Sequence, residues 1–290
     1  MFGILLIDKP PGITSHDVVY RVRRQLGTKK VGHAGTLDPL ATGLLVVAVG
    51  AATRFLKYLH LEPKEYEFTA RFGEETDTYD ADGDVVAKKD VPSDLADKVT
   101  SVLPKFTGEI AQVPPLYSAV KKEGQPLYKY ARQGIDVERE PKSVTVEEFE
   151  LLSTDGSILS FRAVCSTGTY VRSLIHDIGQ EVGCGAHVIR LRRTRVGSFD
   201  VADAVSPDEC GESDLVSLAE ALDPMPSITL NYGQMKLVQN GNFVRADHVP
   251  NGAKAALLDE LGNVLCVARI LENELHPECV VPMEAFDGSV

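Results

Sequence analysis

An α+β fold is predicted by two patterns that recur side by side along the chain. Val18, Val19, Val22 and Leu26, and later Val171, Leu174, Ile175, Ile178 and Val182, fall at helical spacing. Leu44 to Val49 is instead a continuous apolar run, and Tyr66, Phe68, Ala70 and Phe72 alternate with Glu67, Thr69 and Arg71, which are strand patterns. A third observation is the proline-rich break Asp223-Pro224-Met225-Pro226, which divides residues 1–225 from a smaller part, 226–290. At 290 residues, 43% apolar and 25% charged, the chain suits one large and one small globular domain.

Taken in order, Gly3 to Ile7 reads as a strand. Thr14 followed three residues later by Asp17 forms a capping-box pattern, so a helix of about eleven residues follows, with Arg21, Arg23 and Arg24 on its polar face. Gly27-Thr28-Lys29-Lys30 ends it, and Gly32 to Gly43 reads as a loop before the 44–49 strand. Phe55 to His60 closes a short helix, and Tyr66 opens the half-buried strand that follows. Asp77 to Asp84 is an acidic turn. Setting Gly83 as the sixth position of an EF-hand loop puts Thr78 first and Lys89 twelfth, so the bidentate acid is missing and calcium is rejected. Residues 94–103 are helical, and two prolines keep 108–115 extended. Lys121 to Lys142 mixes cations with Tyr128 and Tyr130, the make-up of a polar hairpin or of an arm that grips a nucleic-acid backbone. Ile158 to Cys165 is a strand, Gly183 ends the helix begun near Val171, and Ala255 to Ala268 reads as two strands joined by a turn.

The most chemically loaded stretch is Gly32-His33-Ala34-Gly35-Thr36-Leu37-Asp38-Pro39-Leu40-Ala41-Thr42-Gly43. Its glycines let backbone approach a ligand, and Pro39 biases Asp38 toward an extended conformation, so one carboxylate is presented from a stiff loop. His33 has no neighbouring His or Cys with which to hold a metal. Five cysteines, Cys165, Cys184, Cys210, Cys266 and Cys279, include no Cys-x-x-Cys pair and read as reduced packing residues. With no apolar run near twenty residues and no charged leader, a cytoplasmic protein without a membrane span is expected. The net charge of −12 argues against RNA binding until it is mapped. Residues 200–290 hold 4 basic and 16 acidic residues, whereas residues 1–60 hold 8 basic and 3 acidic. Further cations cluster from Lys121 to Lys142 and at Arg190, Arg192, Arg193 and Arg195, which favours an RNA backbone as partner of the first part.

Leu6-Ile7-Asp8-Lys9-Pro10, Gly12-Ile13-Thr14-Ser15 and the Gly32 to Pro39 stretch resemble the TruB family of bacterial tRNA pseudouridine-55 synthases. Thr76-Asp77-Thr78 with Asp80-Ala81-Asp82-Gly83, Pro114 to Ala119, Gly168 to Leu174 and Gly183 to His187 stand in the family's order, over about two hundred residues. The resemblance implies a mixed, mainly antiparallel core sheet flanked by helices in 1–225 and a small PUA-type β-barrel in 226–290. It implies an intramolecular transferase that isomerises uridine 55 in the T-arm of tRNA, working as a monomer with no cofactor and no metal. Asp38, Tyr66 and Arg172 are then the catalytic residues: Asp38 attacks the sugar or removes its 2′ proton, Arg172 keeps it ionised, and Tyr66 stacks on the uracil. His33 fills the space left by the flipped nucleotide, Lys9 and Arg54 contact phosphates, Asp80 organises the active-site side, and Tyr170 and Leu191 wall the pocket. Without the resemblance, Tyr66 reads as a core aromatic and His33 as a local hydrogen-bonding residue. Two rival classes are weaker. An RNA-binding protein without activity leaves the pinned Asp38 without a purpose, and a phosphate-cleaving enzyme lacks the Gly-x-x-x-x-Gly-Lys-Ser/Thr loop.

Overall fold

The computed structural model describes residues 1–135, 137–245 and 252–286. The chain opens on strand β1 (Gly3–Lys9) and enters helix α1 (Ser15–Gln25) through a capping box: the Thr14 hydroxyl accepts from Asp17 N–H, and the Asp17 carboxylate accepts from Thr14 N–H at 2.8 Å. β2 (Val31–Ala34) and β3 (Thr42–Val49) follow, then a 3₁₀ helix over Gly50–Tyr58. Next come β4 (Lys64–Phe72), the ribbon β5 (Glu74–Thr76) with β6 (Val85–Lys88), helix α2 (Leu95–Val102) and β7 (Gly108–Gln112). A two-residue-per-strand hairpin, β8 (Lys121–Lys122) with β9 (Gln125–Pro126), leads into the short α3 (Leu127–Ala131). β10 (Lys142–Asp155), β11 (Ile158–Cys165), α4 (Val171–Val182), β12 (Ala186–Val196) and β13 (Phe199–Asp200) come after it. The last part holds α5 (Leu218–Ala221), β14 (Ser227–Thr229), α6 (Tyr232–Gln239), β15 (Val244–Arg245), β16 (Lys254–Leu258), β17 (Val264–Leu271) and β18 (Glu274–Val280).

These elements divide into two units. One joins Met1–Asp38, Leu44–His60 and Val201–Val290, and the other joins Pro39–Gly43 and Leu61–Asp200. In the first, β1 lies beside β3, and β2 pairs antiparallel with β3 from Val31 opposite Val49 to Ala34 opposite Val46. β3 is buried on both faces, as its unbroken apolar run requires. Val18 and Val22 of α1 are fully buried, and β1 is joined to the chain's later part by bridges from Ile4 to Val216 and from Ile7 to Val205. The sheet β14-β16-β17-β18-β15 curls into a half-barrel with its own core, including Leu230, Val238, Leu257, Leu275 and Ile270. Its strands pair antiparallel except for β14 with β16.

In the second unit, β12-β4-β11-β10-β7 form an antiparallel sheet. Phe68, Phe149 and Phe161 fill one face of it, Phe68 stacking on Phe161 at 5.5 Å. The first two residues of β3 run parallel to Arg192 and Arg193 of β12. A side chain at Gly43 would place its Cβ 2.2 Å from the Arg193 carbonyl oxygen, so this crossing admits glycine alone. α4 packs on β12, buries Val171, Leu174, Ile175 and Ile178, and stops at Gly183, whose φ of 91° is left-handed.

Three local expectations change. His33 lies on β2, because residues 31–34 gain a ladder to β3 that a local reading cannot see. The segment ending at Tyr58 is a 3₁₀ helix that starts earlier, at Gly50. Tyr66 is the third residue of its strand, which begins at Lys64.

Asp177 on α4 has no hydrogen-bond or ion-pair partner among the described residues, and burial pushes its carboxyl up to about 6. A carboxyl held above its unfolded value favours the fold while protonated and loses that contribution as pH rises from about 4 to about 6. Asp177→Asn is therefore expected to raise stability by about 1–2 kcal/mol at pH 7, with the gain fading toward pH 4. Urea unfolding at both pH values checks this, and an equal effect at each would remove the desolvation argument.

Candidate active site

Asp38 is half-buried and follows a residue that is tied down twice. Ser15, 1% exposed at the first position of α1, donates from Oγ to the Leu37 carbonyl at 3.1 Å and accepts from Leu37 N–H at 2.9 Å. The capping box that starts α1 thus also fixes the peptide leading to Asp38, and Pro39 restricts the other side. In the same unit, the His33 ring stands edge-on to His16, with centroids 5.5 Å apart.

In the second unit, Arg172 is the organising cation. It lies in the first turn of α4, 3% exposed. Nη1 donates to the Thr78 carbonyl at 3.0 Å, and Nη2 donates to the Tyr117 carbonyl at 2.8 Å. Nη1 also pairs with Asp80 Oδ2 at 3.3 Å. Asp80, 4% exposed, accepts from the Thr78 hydroxyl at 2.6 Å and from Asp82 N–H at 3.1 Å. A buried ion pair offsets its desolvation only when such further hydrogen bonds complete both partners. The Asp77–Asp84 turn is therefore a cradle for this guanidinium. Sequence reasoning put Asp80 on the active-site side without naming its partner, which is Arg172.

Tyr66 is 8% exposed on β4, opposite Ala163 on one side and Arg193 on the other. Leu191, also 8% exposed, stands on β12, and its carbonyl accepts from Thr42 Oγ1 at 3.3 Å. Tyr170 caps α4. Its N–H donates to Gln112 Oε1 at 2.7 Å, and its carbonyl accepts from Gln112 Nε2 at 3.1 Å. Gln112 is 2% exposed and escaped the sequence reading, although a polar residue directly before Val113-Pro114-Pro115 was the available signal. Ser173 completes this seam by donating to the Val113 carbonyl at 2.9 Å.

Two cationic expectations are corrected. Lys9 is fully buried, and its ammonium donates to the carbonyls of Pro10 at 3.0 Å and Ile13 at 2.7 Å. A phosphate cannot reach it there, and it holds the turn before α1 instead. In the cluster at 190–195, Arg193 is 1% exposed and Arg195 pairs with Glu65 at 3.4 Å, while Arg190 is exposed. The twist of β12 and its bulges send these side chains to different environments. Burial, with Arg193 adding, also lowers the Lys64 ammonium to about 8. Arg54 is exposed and donates to the Val280 carbonyl at 2.9 Å.

From Lys121 to Lys142 the chain surrounds a cavity of about 330 Å³ lined by Lys121, Lys122, Leu127, Arg139 and Lys142. Lys122 donates to the Glu138 carbonyl at 2.7 Å, and the Arg132 guanidinium lies over the Tyr128 ring at 5.5 Å. Among the described residues, no group of three or more His, Cys, Asp or Glu could hold a metal ion, and no helix is long and apolar enough to cross a membrane.

The model of the TruB family pseudouridylate synthase N-terminal domain matches residues 23–171, and that of the tRNA pseudouridylate synthase B C-terminal domain matches residues 172–227. The tRNA pseudouridine synthase B of Syntrophotalea carbinolica is 49% identical over 238 residues, covering 79% of this chain and 78% of that protein. The one from Burkholderia lata is 42% identical over 291 residues, covering 96% and 90%. Among solved structures, a Cbf5-Nop10-Gar1 complex contains a chain that matches with a TM-score of 0.72 at 28% identity, covering 98% of this chain and 86% of that one. An H/ACA RNP bound to a substrate RNA containing 2′-deoxyuridine matches at 0.71 and 26%, covering 97% and 85%. The chain belongs to the TruB family of pseudouridylate synthases.

Proposed function

We propose that this protein isomerises uridine 55 in the T-arm of tRNA to pseudouridine, with Asp38 as the reacting carboxylate. The observation that carries the reading is the double tie of Leu37 to Ser15, which holds the peptide before Asp38 rigidly. Four residues after Asp38, the chain joins β12 at Thr42 and Gly43, next to the strand positions of Leu191 and Arg193. The substrate class comes from relatives named tRNA pseudouridine synthase B.

In this reading the C1′–N1 bond breaks, the uracil turns, and a C1′–C5 bond forms. C5 gives up a proton and N1 gains one, so no atom is added and no cofactor is needed. Asp38 either attacks C1′ or takes the 2′ proton, and both roles need it ionised. Arg172 supplies the positive charge that favours this form, and Tyr66 stacks on the uracil and assists loss of the C5 proton. His33 fills the space of the extruded nucleotide, with Tyr170 and Leu191 at the pocket wall and Arg54 on a phosphate. Residues 1–225 carry the catalytic function, and 226–290 form a PUA-like module, a division supported by the separate core of the β14–β18 sheet.

Substituting Lys121, Lys122, Lys129 and Arg132 together is expected to weaken tRNA binding and flatten its salt dependence. Each lost phosphate contact removes about 0.7 to 0.9 from the log-log slope. Equal slopes would make this segment an ordinary solvated hairpin.

The test of the whole reading compares a T-arm stem-loop with an unstructured strand containing the same uridine, at one salt concentration. The folded loop is expected to have the higher kcat/KM, by about a hundredfold or more, because only it presents its phosphates and the gap for His33 in one geometry. Mass spectrometry after carbodiimide tagging reads the product. A ratio near one would mean that local sequence alone is recognised, and absence of product from both would overturn the activity.

A further inference from the structure

One turn beyond Arg172, α4 carries a contact that the chemistry above does not use. His176 follows Arg172 by four residues and so shares its face of the helix. Its imidazole lies flat on the Tyr79 ring, with centroids 3.8 Å apart and planes inclined by 14°. Tyr79 stands between the two residues that hold Arg172: the Thr78 carbonyl accepts from Nη1, and the Asp80 carboxylate pairs with the same nitrogen.

Tyr79 has a φ of 64°, a left-handed conformation that glycine adopts without strain and that a residue with a Cβ resists. The surrounding contacts hold it there. Its carbonyl accepts from Val188 N–H of β12 at 3.0 Å, its N–H donates to the Thr76 carbonyl at 3.2 Å, and its ring meets α4. The turn is thus tied to β12 through its backbone, and to α4 through the Tyr79–His176 stack and through Arg172 itself. His176 Nδ1 is buried without a hydrogen-bond partner among the described residues. Burial holds the imidazole below its usual pKa, with Glu75 opposing that shift and Arg139 adding to it. With Nδ1 unbonded, the ring meets this turn through its flat face.

We propose that His176 is a positioning residue for Arg172: stacked on Tyr79, it fixes the Thr76–Asp80 turn against α4 and so fixes the acceptors that aim the guanidinium. This rests on the reading of Arg172 as the cation that serves the reacting carboxylate. Without the stack the turn keeps its bonds to β12, but its registry with α4 rests on the long, flexible Arg172 side chain alone. Arg172 then follows its acceptors out of place.

The experiment measures single-turnover rate and tRNA Kd on folded protein for His176→Ala, His176→Phe, Tyr79→Gly and Tyr79→Phe, with Arg172→Lys alongside. His176→Ala is expected to slow the reaction by about tenfold or more with Kd changed by less than about threefold, and His176→Phe restores the rate because it restores the ring. Tyr79→Gly removes the backbone strain yet slows the reaction as His176→Ala does, whereas Tyr79→Phe does not. The double variant Tyr79→Gly/His176→Ala loses no more than either single one, because both remove one contact. A stack that only stabilises the fold would lower the unfolding midpoint and leave the rate per folded molecule unchanged, which overturns the proposal. A loss in His176→Phe equal to that in His176→Ala also overturns it, by assigning the nitrogen a chemical role. If Arg172→Lys reacts normally, the role given to Arg172 has failed. If Arg172→Lys is slow while His176→Ala is not, only the positioning role falls.

Discussion

Asp38→Asn is expected to lower the single-turnover rate at least about a thousandfold while tRNA Kd stays within about tenfold. The amide has nearly the shape of the carboxylate, so the loop should not rearrange. The Leu37 backbone is bonded to Ser15 Oγ at 2.9 and 3.1 Å, and the substitution leaves those bonds in place. What is lost is a negative oxygen able to attack a carbon or remove a proton. The measurement is pseudouridine formed under enzyme excess, and more than about one hundredth of the wild-type rate would sink the assignment of the reacting group. A binding-only protein would show no difference between the two forms.

Arg172→Lys is expected to slow the reaction by about a hundredfold, with Kd within about threefold. The guanidinium uses two nitrogens to reach Thr78 O, Tyr117 O and Asp80 Oδ2 at 3.0, 2.8 and 3.3 Å. A lysine ammonium keeps the charge but cannot span these acceptors, which surround a planar fork. At 3% exposure no water replaces the missing donor. An acceptor left unmet in such a place costs about 1–3 kcal/mol, and an error of that size in aiming the cation corresponds to roughly ten- to a hundredfold in rate. Stability should fall by a similar 1–3 kcal/mol, roughly, in urea unfolding. A normal rate with lowered stability would make Arg172 a structural cation only.

Where the information was local, the sequence could be read directly. Thr14 and Asp17 announce α1 because a capping box involves only residues three apart, and Gly183 announces the end of α4 because its left-handed φ is a property of one residue. β11 follows from alternation, and the β16–β17 pair from two apolar runs joined by a turn. What was misread depended on partners distant in sequence. His33 became a strand residue through its ladder with Val47. Lys9 and Arg193 show their charge in the sequence but not their depth, which is set by how β1 and β12 are covered. Gln112 and Tyr170 are 58 residues apart, so their paired hydrogen bonds had no local signature. Of the candidate site, residue types were legible, while the pairing of Arg172 with Asp80 required the fold.

The bridges from β1 to the segment after Asp200 bear on how the protein is made. Ile4 and Ile7 find Val216 and Val205 only after about two hundred further residues have been added, on the order of 10–40 s at ordinary translation speeds. Residues 61–200 are contiguous apart from their link to Pro39–Gly43, so their sheet can close while the ribosome is still at work. Until Val205 and Val216 are made, Gly3-Ile4-Leu5-Leu6-Ile7 is an apolar nascent segment without those partners, the kind of stretch that is prone to aggregate while it waits. The sheet of residues 61–200 can thus be complete before β1 gains its last partners.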